Sequence, residues 1–234
     1  MTPEQNVIAP EYEIIASTDS ERQSSAWDIR NAPKNYISLV IYQIGSAILS
    51  FASVWLITHY LGSDGYGSIV AVLAGSQVVQ FFVNWTCVAL ARYGVEEFVE
   101  TGAITKSFWA RTVIFLPNTI FLLASNFLWL PLLAWWLKLP TEALWYLAIH
   151  FGVMAVWLHI QHAIQGAKLP RLQGVLQALE RSLIFTVLVA LAYFGRLDYL
   201  SGIAAYIAGP LVMSIIGLFY IRKLFSWRIT IDRD

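Results

Sequence analysis

Residues 36–60 read YISLVIYQIGSAILSFASVWLITHY, and residues 66–90 read YGSIVAVLAGSQVVQFFVNWTCVAL. Neither stretch contains a lysine, arginine, aspartate or glutamate. A helix needs about 20 apolar residues to cross the hydrocarbon core of a bilayer. A backbone in lipid must also satisfy its own hydrogen bonds. Each stretch is therefore predicted to be a membrane-spanning α-helix.

Four further apolar stretches of similar length follow along the chain, at residues 108–130, 143–165, 176–195 and 199–221. The composition agrees, with 58% hydrophobic and only 13% charged residues and a mean hydropathy of +0.61. Soluble domains carry about twice that share of charge. The alternating pattern of a membrane β-barrel is absent. We predict an all-α polytopic membrane bundle of six transmembrane helices.

The positive charges predict the orientation of this bundle. Of the 15 lysines and arginines, only Lys138 and Arg196 fall in the three links on one side. Short cytoplasmic loops retain lysine and arginine, so both termini are predicted to be cytoplasmic. The residues on the predicted cytoplasmic side are Arg22, Arg30, Lys34, Arg92, Lys106, Arg111, Lys168, Arg171, Arg181, Arg222, Lys223, Arg228 and Arg233.

Three regions differ in composition. Residues 1–33 are polar and lean acidic, without the basic start and apolar middle of a secretory signal. We expect them to be a disordered cytoplasmic segment that is not cleaved. Residues 34–223 form the six-helix transmembrane lobe, and residues 224–234 form a basic cytoplasmic tail. Neither the outer nor the inner links leave room for a soluble domain.

Uncharged polar side chains form stripes within the first two predicted spans. Gln43 heads a series of serines at three- and four-residue steps, namely Ser46, Ser50 and Ser53. In the second span, Gln77, Gln80 and Asn84 share a face about 60° wide at 100° per residue. Such stripes line aqueous cavities or let helices pack and bond to one another. Packing is favoured for the serines, whereas both interpretations stay open for the amides.

The fourth span carries a histidine pair, His159 and His162, in line with Gly152, Ala155 and Gly166. Histidines at this spacing carry protons or bind metals. No third ligand has suitable spacing, so no metal site is predicted. We expect the pair to lie at an interface or to face a cavity.

Arg92, Arg111 and Arg181 are the cytoplasmic-side charges nearest the membrane. Snorkelling and control of topology explain such residues. The functional alternative is attraction of a phosphate at a cavity mouth. The candidate cavity residues are Gln43, Gln77, Gln80, Asn84, Arg92, His159 and His162.

No catalytic set emerges from the sequence. A glycine-rich phosphate loop and a serine elbow are both absent, and the outer acids Asp64, Glu142 and Asp198 are scattered over three links. The single cysteine, Cys87, excludes a disulfide within the chain. The net charge of zero implies no nucleic-acid partner, although the basic loops favour anionic lipids. We therefore expect neither enzymatic activity nor a cofactor.

The turn LGSDGYG at residues 61–67 supports a family resemblance, together with ARYGVEE at 91–97 and QGAK at 165–168. With these segments the chain, over about residues 34–223, resembles the polysaccharide biosynthesis and O-antigen flippase family. That family belongs to the multidrug/oligosaccharidyl-lipid/polysaccharide exporter superfamily. The glycines permit a tight outer turn with positive φ.

This resemblance implies a transporter of the bacterial inner membrane that moves isoprenoid-linked oligosaccharides to the outer leaflet. Family members have two six-helix lobes that rock around a central cavity, and this chain is similar to the amino-terminal lobe alone. A second lobe, from another copy or a separately encoded partner, would be required. The first span also lacks the arginines with which some relatives meet the pyrophosphate. The alternatives are a membrane scaffold or accessory subunit of a polysaccharide assembly complex, or a truncated fragment without function.

Overall fold

The computed structural model of the chain describes residues 32–225, with side chains from Ile37 onward. The expectations about residues 1–31 and 226–234, including the disordered segment and most of the basic tail, lie outside this range. All regular structure within it is helical. The helices are α1 Ala32–Asn84, α2 Cys87–Thr101, α3 Thr105–Ala124, α4 Asn126–Leu137, α5 Ala143–Gly166, α6 Pro170–Tyr193 and α7 Tyr199–Ile221.

Five of these helices are long and apolar enough to cross a membrane, namely α1, α3, α5, α6 and α7. The prediction of an all-helical membrane bundle is therefore confirmed. The apolar helix α4 has 12 residues, and it continues the stretch that was expected to form one span at 108–130. Helix α3 ends at Ala124, and the Trp129 indole of α4 donates to Leu122 O in its last turn over 2.8 Å.

Helix α1 contains a backbone break at Gly62. Its 53 residues would extend about 80 Å if straight, far beyond the roughly 30 Å of a hydrocarbon core. Gly62 has φ 70° and ψ −175°, a region that essentially only glycine occupies. A Cβ on Gly65 would lie 2.5 Å from the Leu61 Cβ, so the chain is too tight there for a side chain. We call residues 32–61 the first limb and residues 63–84 the second limb.

The two limbs run in opposite directions. The second limb and α2 run parallel to α5, since Gly75 packs on Leu147 and Gly94, further along the chain, packs on Gly166. The first limb instead begins where α6 begins, with Tyr42 against Gly174. Because α6 starts directly after the end of α5, the first limb runs antiparallel to α5. The chain therefore reverses at Gly62.

The remaining long helices alternate in the same way. Helix α3 is antiparallel to α5, because its start meets His159 through Thr112 and its end packs on Gly152. Helix α7 is parallel to α5, because the Tyr199 hydroxyl donates to Glu142 at their starts over 2.9 Å. We call the end of the bundle that holds the starts of α1, α3 and α6 the proximal end. The opposite, distal end holds Gly62.

Basic residues concentrate at the proximal end. In the described part of the chain the distal end has only two of them, Lys138 and Arg196. The proximal links and helix ends contain Lys106, Lys168, Arg171, Arg222 and Lys223, and Arg92 lies within α2 at the same end.

Helix α5 is the central helix of the bundle and contributes to both hydrophobic cores. The distal core includes Leu147 and Phe151 of this helix, and the proximal core includes Trp157, Ile160 and Ile164. Residues of α5 also line a hollow beside each of the two limbs.

Candidate functional site

Two adjoining hollows follow the same side of α5. Each has a volume of about 360 Å³. The first lies between α5, α6 and the first limb, and the second lies between α5 and the second limb. Met154 and Leu158 line both, so the hollows adjoin, and we refer to the two together as the polar cleft. The polar residues around it are Gln43, Ser46, Ser50, Gln161, Gln177, Glu180 and Arg181 in the first hollow, and Ser76, Gln77, Gln80, Asn84 and His150 in the second.

The first limb contributes the part of its polar stripe nearest the proximal end. Gln43 is exposed, and Ser46 and Ser50 are half-buried. Each serine hydroxyl donates to the carbonyl four residues earlier over 2.8 Å, as Ser46 does to Tyr42. Ser53 makes the same kind of bond to Leu49 but is buried away from the cleft. Because each hydroxyl hydrogen is already donated to a carbonyl of the same helix, the serine oxygens can act only as acceptors toward a ligand in the cleft.

The second limb contributes a hydrogen-bonded amide pair. Gln80 is only 4% exposed, and its Nε2 donates to Phe151 O over 2.7 Å. Asn84 Nδ2 donates to Gln80 Oε1 over 3.0 Å. Gln77 lies on the same face and is exposed in the second hollow. The amides thus divide between two roles: Gln80 ties the limb to α5, and Gln77 offers free polar atoms to the cleft.

A carboxyl group lies deep in the first hollow. Glu180 is 5% exposed, and its Oε2 accepts a hydrogen bond from Trp157 Nε1 over 2.8 Å. It lies about 15 Å along the axis of α6 from Pro170, close to the middle of that helix. Ionisable residues at such depth in a membrane helix face the bundle interior or a cavity and mark functional sites.

Arg181 follows Glu180 along the chain and lines the same hollow, where it is half-buried. Within residues 32–225 its guanidinium makes no hydrogen bond or ion pair. Gln161 and Gln177 line the hollow beside it. The first hollow therefore presents a cation, a carboxyl group and several amides to anything that enters.

No family model, curated protein sequence or solved structure matches this chain.

Three of the predicted cavity residues lie elsewhere. Arg92 is on the surface, with 73% of its side chain exposed, and pairs with Glu96 over 3.6 Å. His159 is buried on the α3 side of α5, stacked on Phe115 with ring centroids 4.6 Å apart. His162 is half-buried and lies against the carbonyl of Leu158 without lining either hollow.

The two histidines lie outside the cleft because of the rotation of α5 about its own axis. The predicted stripe of small residues and histidines faces α2 and α3, where a Cβ on Gly166 would lie 3.1 Å from Leu90 O. The cleft instead uses the side of α5 that carries His150, Met154, Trp157 and Gln161. His150 is buried, and its Nδ1 is hydrogen-bonded to the Ser76 hydroxyl over 2.6 Å.

The residues that line the cleft without having been predicted to do so are Ser76, His150, Trp157, Gln161, Gln177 and Glu180. A signal was present for α6, because Gln177, Glu180 and Arg181 follow three- and four-residue steps inside an apolar stretch. Among the described residues, no cluster of three histidines, cysteines or carboxylates could hold a metal ion.

Proposed function

We propose that the chain crosses the membrane six times, with both termini in the cytoplasm of a bacterial cell. The two limbs of α1 count as separate spans because they run in opposite directions about Gly62. Together with α3, α5, α6 and α7 they form six antiparallel passages. The basic residues at the proximal end support a cytoplasmic location for that end under the positive-inside rule.

On this topology, the chain acts as one lobe of an inner-membrane transporter that moves lipid-linked oligosaccharide outward. The observation that carries this proposal is the polar cleft along α5. Oligosaccharides are rich in hydroxyl groups that donate and accept hydrogen bonds. The serine hydroxyls and the glutamine amides, among them the exposed Gln77, supply the complementary groups. The resemblance of the turn at residues 61–67 to the flippase family supports the same function.

A second lobe completes the proposal. The cleft is walled by the limbs, α5 and α6 alone, so a single bundle does not surround a substrate. A second copy of the chain or a separately encoded bundle would cover it. Alternating access would then follow from rocking of the two lobes, while the lipid tail stays in the bilayer.

The test is translocation of a labelled isoprenoid-linked oligosaccharide in reconstituted vesicles, with the chain alone and with a candidate partner bundle. We expect Gln77→Leu to abolish most translocation without loss of thermal stability, because this side chain makes no hydrogen bond within the described residues. Gln173→Leu is the matched control, since Gln173 does not line the cleft. Folded protein that fails to translocate in both settings would remove transport from consideration.

A further inference from the structure

The described part of the chain has four buried side-chain nitrogen or oxygen atoms without a hydrogen-bond partner, and they cluster away from the polar cleft. They are Thr86 Oγ1, Arg111 Nε, Arg111 Nη1 and His159 Nδ1. Arg111 is 3% exposed. Buried polar groups are nearly always hydrogen-bonded, and a buried charge without partners is costly. Two unpartnered nitrogens on one guanidinium, in the same cleft as the unpartnered Thr86 hydroxyl, indicate a site for an anionic group.

The protein satisfies Arg111 only in part. Its Nη2 donates to the Cys87 sulfur over 2.9 Å, and its guanidinium carbon lies 5.4 Å from the centre of the Phe115 ring. Neither neighbour supplies an oxygen acceptor to the other two nitrogens. A guanidinium normally binds phosphate or carboxylate oxygens through two parallel hydrogen bonds.

Arg111 and Thr86 line a separate cleft of about 360 Å³ between α2 and α3. Lys106 and Ser107 line its proximal end, and the other walls are mainly apolar. Ala89, Ala110 and Ile114 also line it and are exposed on the outer surface of spanning or adjoining helices. The cleft therefore opens sideways, toward lipid.

The depth of Arg111 also suits a lipid headgroup. It is the seventh residue of α3, about 9 Å along the helix axis from Thr105. The backbone amides of Lys106 and Ser107, at the start of α3, are already taken by the Glu97 carboxylate over 2.7 and 2.8 Å. The backbone amides at the helix start are thus occupied, so an anion in this cleft binds side chains, and the buried Arg111 guanidinium is the group with unpartnered nitrogens.

We propose that the cleft between α2 and α3 binds an anionic phospholipid of the cytoplasmic leaflet, with its phosphate on Arg111 and Thr86 and an acyl chain along Ala110 and Ile114. A lipid fits better than a free phosphate ion because most of the lining is apolar and opens to the bilayer. The assignment to the cytoplasmic leaflet rests on the proposed orientation, whereas the site itself is independent of the proposed transport function.

The experiment measures thermal unfolding of the purified full chain in delipidated detergent, with added phosphatidylglycerol, phosphatidylcholine or inorganic phosphate. For the wild type we expect phosphatidylglycerol to raise the Tm by about 5–10 °C, as a ligand at roughly 100 times its Kd does for a protein of this size. Phosphatidylcholine should produce a much smaller shift, because its choline cation offsets the phosphate and leaves the buried guanidinium without a net compensating charge. Inorganic phosphate should also produce a much smaller shift, because it lacks an acyl chain for the apolar walls. Native mass spectrometry should show one retained phosphatidylglycerol.

Two variants separate this site from general attraction to the basic end. Arg111→Met should lose the phosphatidylglycerol shift, and in lipid-free detergent it should be at least as stable as the wild type because the uncompensated charge is gone. Arg92→Gln, which removes an exposed arginine at the same end, should keep the full shift. An equal shift in Arg111→Met and the wild type would overturn the proposal.

The wild-type comparisons decide the question on their own if Arg111→Met does not fold. A wild type that does not distinguish phosphatidylglycerol from phosphatidylcholine has no such site. An equal Tm rise with inorganic phosphate would replace the lipid by a soluble anion and overturn the lipid assignment.

Discussion

The hydrogen bond between Trp157 and Glu180 lends itself to a quantitative test. Both side chains are buried, at 1% and 5% exposure, and the bond joins α5 to α6 over 2.8 Å. Glu180→Leu removes the acceptor and leaves the indole N–H buried without a partner. Trp157→Phe removes the donor and leaves the carboxyl group without this hydrogen bond.

Each single change should cost more than the bond itself contributes. A buried donor left unsatisfied costs about 1–3 kcal/mol, whereas loss of both partners together is nearly neutral apart from packing. The two costs should therefore not add. We expect the Trp157→Phe/Glu180→Leu double variant to be about 1–3 kcal/mol more stable than the sum of the single variants predicts.

The assay is a double-mutant cycle measured by thermal unfolding in detergent. About 2 kcal/mol corresponds to a Tm change of roughly 4–8 °C for a protein of this size. Glu180→Gln is the control, because the amide oxygen still accepts from Trp157. It should stay within about 1 kcal/mol of the wild type.

Additive single effects, within about 0.5 kcal/mol, would refute this reasoning, because they would show that the two side chains do not stabilise each other. The control carries a second result. If Glu180→Gln is as stable as the wild type but fails in the translocation assay, the ionisable carboxyl group serves the function and not only the packing.

Three further predictions concern the backbone and one helix cap, and each is measured by unfolding. Gly62→Ala should cost at least about 2 kcal/mol, because a Cβ is strained at φ 70°. Gly166→Ala should cost about 1–3 kcal/mol by overpacking, because its Cβ would lie 3.1 Å from Leu90 O and 3.3 Å from Gly94 Cα, both backbone atoms. Hydrogen bonds, chiefly from a backbone amide, lower the pKa of the exposed Asp198 below its ordinary 3.8. Its capping contribution is thus present above pH 3.8 and is lost as the pH falls through the lowered pKa.

The controls for these variants come from the same helices. Gly67→Ala meets nothing within 4 Å, and Gly152→Ala meets only Leu123 side-chain atoms at 3.6 Å and beyond. Neither should be destabilised, and a loss equal to that of Gly62→Ala or Gly166→Ala would contradict the steric argument. For the cap, Asp198→Asn should remove the part of the stability loss at acid pH that comes from protonation of this carboxylate. An unchanged acid profile in that variant would assign the effect to another group.

Part of the polar cleft could be predicted from the sequence. The stripes on the two limbs were visible because glutamine, asparagine and serine stand out in apolar stretches, and Gln43, Gln77, Gln80 and Asn84 all line the cleft. The histidine pair was expected either at an interface or facing a cavity, because periodicity places residues around the axis of their own helix only. It does not say which side of that helix meets a neighbour. The structure places His159 in a packed aromatic contact with Phe115.

The sequence by itself determined the helical class, the positions of the apolar stretches and the concentration of positive charge toward one side, because these properties depend on short, local runs of residues. Only the tertiary structure decided the rotation of each helix. It brought Trp157 to Glu180 and left Arg111 buried with two unpartnered nitrogens. In a membrane bundle the lipid-facing and core-facing sides are both apolar. Hydrophobicity therefore indicates little about rotation, which is set by close packing between residues distant in the chain.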